Sequence, residues 1–317
     1  MIGRRGSRAA RSAVALFSLS LAAPLPAQQV ADTAFPPSVA PPAFPEGRGP
    51  TVLLDEAHFN FHTASGRYRP FATLLRRDGY VVVPNRERFS AAALARGRVL
   101  VIANALPDSG AWVLPTRAAF TPEEISAVEA WVRGGGSLLL IADHMPLAGA
   151  AEPLARAFGL EFLNGFAFPR GSRNPPDLFR TADGSLATHP VTRGRSAAER
   201  VDSVATFTGQ AFRATARVTP IITLDERWSV LLPVRAWEFS DSTPRVGGAG
   251  LLQAALLRHG RGRVAVFGEA AMFTAQRAGG GGAVLMGMNN PQASRNAQFA
   301  LNVLHWLSGL LEPDARR

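Results

Sequence analysis

The 317-residue chain contains no cysteine, and that absence removes thiolate nucleophiles, cysteine-ligated zinc, redox CxxC pairs, disulfides and a lipoprotein anchor. It contains no lysine either, since all 34 of its basic residues are arginine. A Schiff-base lysine, a Walker A lysine and a kinase-type phosphate lysine are therefore excluded, and with them PLP enzymes and P-loop NTPases. Charged residues make up only 18% of the chain and apolar ones 47%, which is the composition of a globular protein with a large core rather than of a disordered one. No uninterrupted apolar run approaches the roughly 20 residues that a membrane-spanning helix requires.

The formal charge is +10, but Arg4, Arg5, Arg8 and Arg11 crowd the first eleven residues without an acid beside them. The other arginines, among them Arg67, Arg69, Arg193, Arg195, Arg261 and Arg263, are scattered and not interleaved with aromatics. That pattern suits a solvated surface, and nucleic acid is not an expected partner.

The basic start, the small and apolar run over 12–23 and the small residue Ala27 form a secretory signal peptide over 1–27, which predicts a periplasmic or extracellular protein. Residues 28–50 hold Pro36, Pro37, Pro41, Pro42, Pro45 and Pro50, a composition that predicts an extended linker that does not pack. The folded unit then runs over 51–311, followed by a tail at 312–317.

Short runs that are apolar at every position, at 51–54, 80–83, 99–103, 138–142 and 264–267, predict strands buried on both faces, as in parallel sheets. Helical patterns lie between them at 68–78, 90–96, 121–133 and 150–158. The third opens with Thr121 as N-cap, Pro122 in the first turn and Glu123 and Glu124 at the positive end; Gly134, Gly135 and Gly136 stop it. A closing helix over 294–311 carries Phe299, Val303, Trp306 and Leu310 on one stripe. The alternation predicts an α/β, doubly wound, mainly parallel sheet. Residues 164–245 break the rhythm with prolines, glycines and β-like stretches, which predicts a β-rich insertion off the main layer.

Each predicted strand runs into polar residues: Asp55 and Glu56, Asn104, Asp143 and His144, and Glu269. In open α/β sheets ligands bind beyond the carboxyl ends of the strands, so these residues are expected to converge, with His58 among them and His62 and Asn290 at the margin. In DEAHFNFH, His58 and His62 fall on one side whether the segment is extended or helical. Asp55, His58, Asp143, His144 and Glu269 are oxygen and nitrogen donors of the type that hold a divalent metal, although no HExxH spacing is present. The same acids would equally serve as caps of helices and turns. There is no GxSxG elbow and no GxGxxG after a strand. The glycine run at 279–282 predicts a loop at the sheet's carboxyl edge.

LLDEAHFNFH, AVEAWVRGGGSLLLIADH, HPVTRG followed by VATFTGQAF, and GRVAVFGEAAMFTAQ with NAQFALNVLHWL resemble exported DUF4350-type proteins, which are similar to the class I glutamine amidotransferase-like fold that includes ThuA-like proteins. The resemblance spans about 51–311 and implies a flavodoxin-like sheet. Amidotransferases of this fold use a cysteine nucleophile, so the resemblance does not carry glutamine hydrolysis to this chain. Two functions stay open: a binding module for a glycan, small molecule or envelope partner, or a metal-assisted hydrolase or sugar-modifying enzyme acting through the strand-end Asp, His and Glu residues.

Overall fold

The computed structural model describes residues 29–37 and 41–311. The expected signal peptide and the tail lie outside the described residues. Among those residues, no helix is long and apolar enough to cross a membrane.

A nine-stranded sheet forms the centre. Five parallel strands come first, in the spatial order Val81–Asn85, Thr51–Asp55, Val99–Ala103, Ser137–Ile141 and Gly262–Phe267. Numbered along the chain this order is 2-1-3-4-5, one of the two common doubly wound arrangements, with its switch point between the first and third strands. The strands form where the sequence is apolar at every position because both faces are covered. Val52, Leu54, Val101, Leu139, Ile141 and Phe267 pack on one face, against the Arg69–Arg77 and Asn296–Ser308 helices. Leu53, Leu100, Ile102, Leu138, Leu140 and Val266 pack on the other, against the Pro122–Arg133 and Leu147–Ala157 helices. The alternation along each strand assigns the faces.

Beyond Gly262–Phe267 the sheet turns antiparallel. Leu252–His259 returns through a tight turn at Gly260 (φ 57°) and pairs with Gly262–Phe267. Phe212–Ala214 and Thr219–Thr223 pair with Leu252–His259, and Leu160–Phe162 completes the flank. The insertion is therefore only partly off the main layer: two of its strands extend the central sheet. Phe166–Pro169, Trp228–Leu231 and Arg245–Gly247 make a separate three-stranded sheet, and Asp177–Arg180 pairs with Ser203–Thr206.

Two further expectations are corrected. The closing helix is not amphipathic with a single stripe; every residue from Asn296 to Leu307 is buried, while Leu310 lies past the helix and is exposed. The insertion covers its outer side, and its polar residues are satisfied there: the Asn302 amide donates to the Val191 and Glu199 carbonyls, and Asn296 exchanges hydrogen bonds with the Ala205 backbone. Nor is the proline-rich segment unpacked. Val30–Ala31 adds to the edge of the Ala275–Ala278 and Val284–Gly287 hairpin, and Phe35 and Phe44 lie against the core. Backbone pairing at a free edge needs no apolar periodicity, which is why composition did not reveal it.

Candidate functional site

The carboxyl ends of the parallel strands carry two separate polar clusters. The first is closed. Asp55 ends its strand, and His58 Nδ1 lies 3.0 Å from both Asp55 carboxylate oxygens while its Nε2 lies 2.8 Å from Glu124 Oε1. Phe89 and Phe120 flank the imidazole, with ring centroids 4.6 and 4.9 Å away. Asp55 also accepts from the Ala57 amide and the Asn60 side chain. Glu124 closes a capping box with Thr121 and accepts from the Phe89 amide and Arg88. Burial alone would lower the His58 pKa, but hydrogen bonds and charge from Asp55 and Glu124 outweigh it and hold the imidazole above its ordinary value. Burial likewise pushes Glu124 up, and the Thr121 amide together with His58 reverses that, leaving it below the ordinary glutamate value.

The second cluster is open. A cleft of about 550 Å³ lies over the ends of the Val99–Ala103, Ser137–Ile141 and Gly262–Phe267 strands, and its lining includes His62, Asn104, Asp143, His144 and Glu269. The Asn104 side-chain oxygen accepts from the Asp143 amide at 2.9 Å, which ties two neighbouring strand ends together. Asp143 and Glu269 are both buried. Burial raises the Asp143 pKa. Burial first, and then the Asp143 charge, raise Glu269 well above the usual glutamate value although it accepts from the Ala271 and Met272 amides. The pair therefore holds protons that ordinary carboxyls would release. His144 Nδ1–H donates to the Met145 carbonyl at 2.8 Å, and the imidazole stacks on Phe166.

Sequence reasoning thus grouped residues that the fold separates. Asp55 and His58 belong to the closed cluster. Glu56 accepts from the Ala64 amide and pairs with Arg86 at the surface. Asn290 caps the short turn at Pro291–Ala293 and donates to the Leu285 carbonyl. The five-residue metal set is not assembled, because two of its members point into the Glu124 network; among the described residues, no three His, Asp or Glu side chains converge as metal ligands.

The cleft also contains residues that sequence reasoning missed. Arg67, Trp112 and Trp237 line it, as do Phe61, Phe207, Thr208, Gln276 and Met286. Arg67 packs its guanidinium 3.8 Å from the Phe61 ring centre and donates to the Phe61 carbonyl. His62 stacks on Tyr68 at 4.4 Å, and burial together with the Arg67 charge lowers its pKa to about 3, so the ring is neutral. The glycine run at 279–282 is the turn of the hairpin whose strands supply Gln276 and Met286 to the cleft, and the run itself is not part of the lining. Asn104, Thr208 and Trp237 all adopt positive φ, at 51°, 106° and 69°. Such conformations cost energy in side-chain-bearing residues and concentrate at sites that bind or react. Pro and Gly punctuation around 164–245 signalled loops, but nothing in it showed that their aromatic residues return to the strand ends.

No protein-family model matches the chain, and no curated protein matches it in sequence. Solved structures do resemble it. The N-terminal domain of mmIFT52 superposes with a TM-score of 0.57 at 12% identity, covering 81% of this chain and 97% of that one. A ThuA-like protein from Bacteroides uniformis ATCC 8492 gives 0.45 at 12% identity over 82% and 92% of the two chains. Another, from Parabacteroides merdae ATCC 43184, gives 0.43 at 11% over 83% and 91%. At these identities the first likeness bears on the fold alone, and the two ThuA-like ones are too distant to carry an argument.

Proposed function

We propose that this protein is an exported, flavodoxin-like module of the amidotransferase-like type that binds a small sugar in the cleft above its parallel strands. The observation that carries the reading is the make-up of that cleft. The aromatic side chains Phe61, Trp112 and Trp237 share its lining with the polar residues Asn104, Asp143, Thr208 and Glu269. A pyranose ring presents apolar C–H faces suited to aromatic walls and equatorial hydroxyls suited to carboxyl and amide acceptors. The basic and then apolar run at the N-terminus supports export, and N-terminal sequencing of protein recovered from its host should find a start near Gln28. A start at Met1 would refute export.

Binding is tested by titrating the protein with glucose, galactose and mannose while following tryptophan fluorescence. Saturable quenching that is lost in Trp112→Ala is the expected result. No saturable response to any of the three sugars or their oxidised forms, in protein shown to be folded, would sink the reading.

One observation favours a second reading, a hydrolase. Asp143 and Glu269 retain protons beyond the ordinary carboxylate range, as a general acid must. Release of reducing sugar from p-nitrophenyl glycosides, abolished by Glu269→Gln, would move the assignment from binding to catalysis.

A further inference from the structure

The cleft is asymmetric in its unmet hydrogen bonds. Among the described residues, three of its buried polar atoms have no partner: Arg67 Nε, His62 Nδ1 and Gln276 Oε1. His62 is 2% exposed and Gln276 1%, so bulk water does not satisfy them, and a buried polar atom without a partner is costly to maintain. Arg67 is half-buried, and among the described residues it meets the Phe61 ring and carbonyl and accepts the Thr274 hydroxyl at its own carbonyl. Neither guanidinium contact is an anion. Burial lowers the Arg67 pKa, and no acid offsets that effect. The carboxyl pair on the floor does not neutralise the guanidinium, whereas the surface arginines Arg86, Arg88, Arg96 and Arg117 each meet an acid.

The geometry points to an acidic ligand: the cleft takes a sugar acid, a uronate, with its carboxylate on Arg67 beside His62 and a ring hydroxyl donating to Gln276 Oε1. This rests on the sugar-binding reading and names the class of sugar. The three orphaned atoms fix the chemistry. An unpaired guanidinium N–H calls for an anionic acceptor, and planar guanidinium matches planar carboxylate. Gln276 Oε1 can only accept, so the ligand must also carry a donor, which a uronate hydroxyl provides and a simple inorganic anion does not. Charge selects carboxylate over phosphate. His62 is held neutral, so beside it the Arg67 guanidinium supplies one full positive charge, enough for a monoanion. A phosphate dianion would exceed that single charge and leave a net negative charge in a partly buried cleft.

The test is isothermal titration of the full chain at pH 7 with glucose, galactose and mannose, with the three corresponding uronates, and with glucose 6-phosphate. At least one uronate should bind roughly ten-fold or more tightly than its parent aldose, the size expected of a charge-assisted hydrogen bond in a partly buried site. Glucose 6-phosphate should bind more weakly than that uronate. Arg67→Met should reduce uronate affinity about ten-fold, and Arg67→Lys should recover part of the loss; the wild-type comparison needs no variant and stands even where a variant fails to fold. Aldoses that bind as tightly as the uronates would overturn the acidic-ligand inference and leave the sugar cleft intact. Tighter binding of the phosphate would overturn it as well. If neither aldose nor uronate binds, the sugar-binding reading falls with it.

Discussion

Asp55 with His58 and Asp143 with His144 occupy equivalent places, each at the carboxyl end of a parallel strand, yet their surroundings give them opposite tasks. His58 is clamped between two carboxylates, so the Asp55–His58–Glu124 chain joins the first strand to the start of the Pro122–Arg133 helix. Removing one partner from a buried ion pair leaves the other uncompensated, at a cost of about 3–5 kcal/mol. His58→Ala should destabilise the protein by that order in urea unfolding, without altering the affinity of any ligand of the cleft. Asp143 is the reverse case. Burial makes its charge unfavourable in the folded state, outweighing the hydrogen bonds from Asn104 and the backbone and the His144 charge, and its carboxyl oxygen accepts the His144 amide, a role that asparagine retains. Asp143→Asn should therefore raise the thermal midpoint by about 2 °C or more at pH 7 while weakening ligand binding. A fall in the midpoint would show that the Asp143 charge is stabilising.

At the scale of elements, the parallel strands and the helices between them were legible because their signals are local: a continuous apolar run, the Thr121, Pro122 and Glu124 start, the glycine stop. Ser90 caps the short preceding helix Ala91–Leu94 in the same way. What was not legible depends on contacts far apart in sequence. Nothing near His58 shows that Glu124, 66 residues on, will take its second nitrogen. Nothing near Trp237 shows that it will stand against His144, 4.7 Å between ring centres. The glycines between elements were read as punctuation, but Gly209 does more. A Cβ there would lie 2.2 Å from the Gly268 carbonyl oxygen and 3.0 Å from Glu269 Cβ, so only glycine lets the Thr208 segment close against the strand end that carries Glu269. Gly209→Ala should cost about 1–3 kcal/mol, the usual range for overpacking, and should weaken ligand binding. Denaturant midpoints and titration of the same variant would check both, and a neutral effect would mean that the two segments are free to separate.

The whole molecule sums these local states into a dependence of stability on pH. His62 is buried and His189 half-buried, and both are neutral, their pKa values lowered by burial and by neighbouring arginines to about 3 and about 4. Between the ordinary histidine value and those lower values the unfolded chain binds protons that the native one refuses. Their stabilising contribution is complete above about pH 6.5 and is lost as pH falls. Glu124 and Glu199, held below the ordinary range after their hydrogen bonds overcome burial, add to the loss at the acid end. Asp143 and Glu269, with Asp177 raised by burial to about 6, act in the opposite sense. There the native state keeps protons that the unfolded state has released, so stability declines as pH rises above about 4. His58, raised by its two carboxylates after they overcome burial, also contributes most at low pH and loses its contribution as pH climbs through its folded value. The raised acids and the lowered histidines therefore offset one another between about pH 4.5 and 6.5, and the losses dominate on either side. Urea midpoints measured from pH 3 to 9 should trace a broad maximum on the acid side of neutrality. His62→Phe, which keeps an aromatic ring against Tyr68, should remove one proton from the acid limb, a slope of about 1.4 kcal/mol per pH unit below pH 6. A midpoint that rises steadily to pH 8 would contradict the assignment of retained protons to Asp143 and Glu269, because ordinary ionised carboxylates at those positions would give that rise.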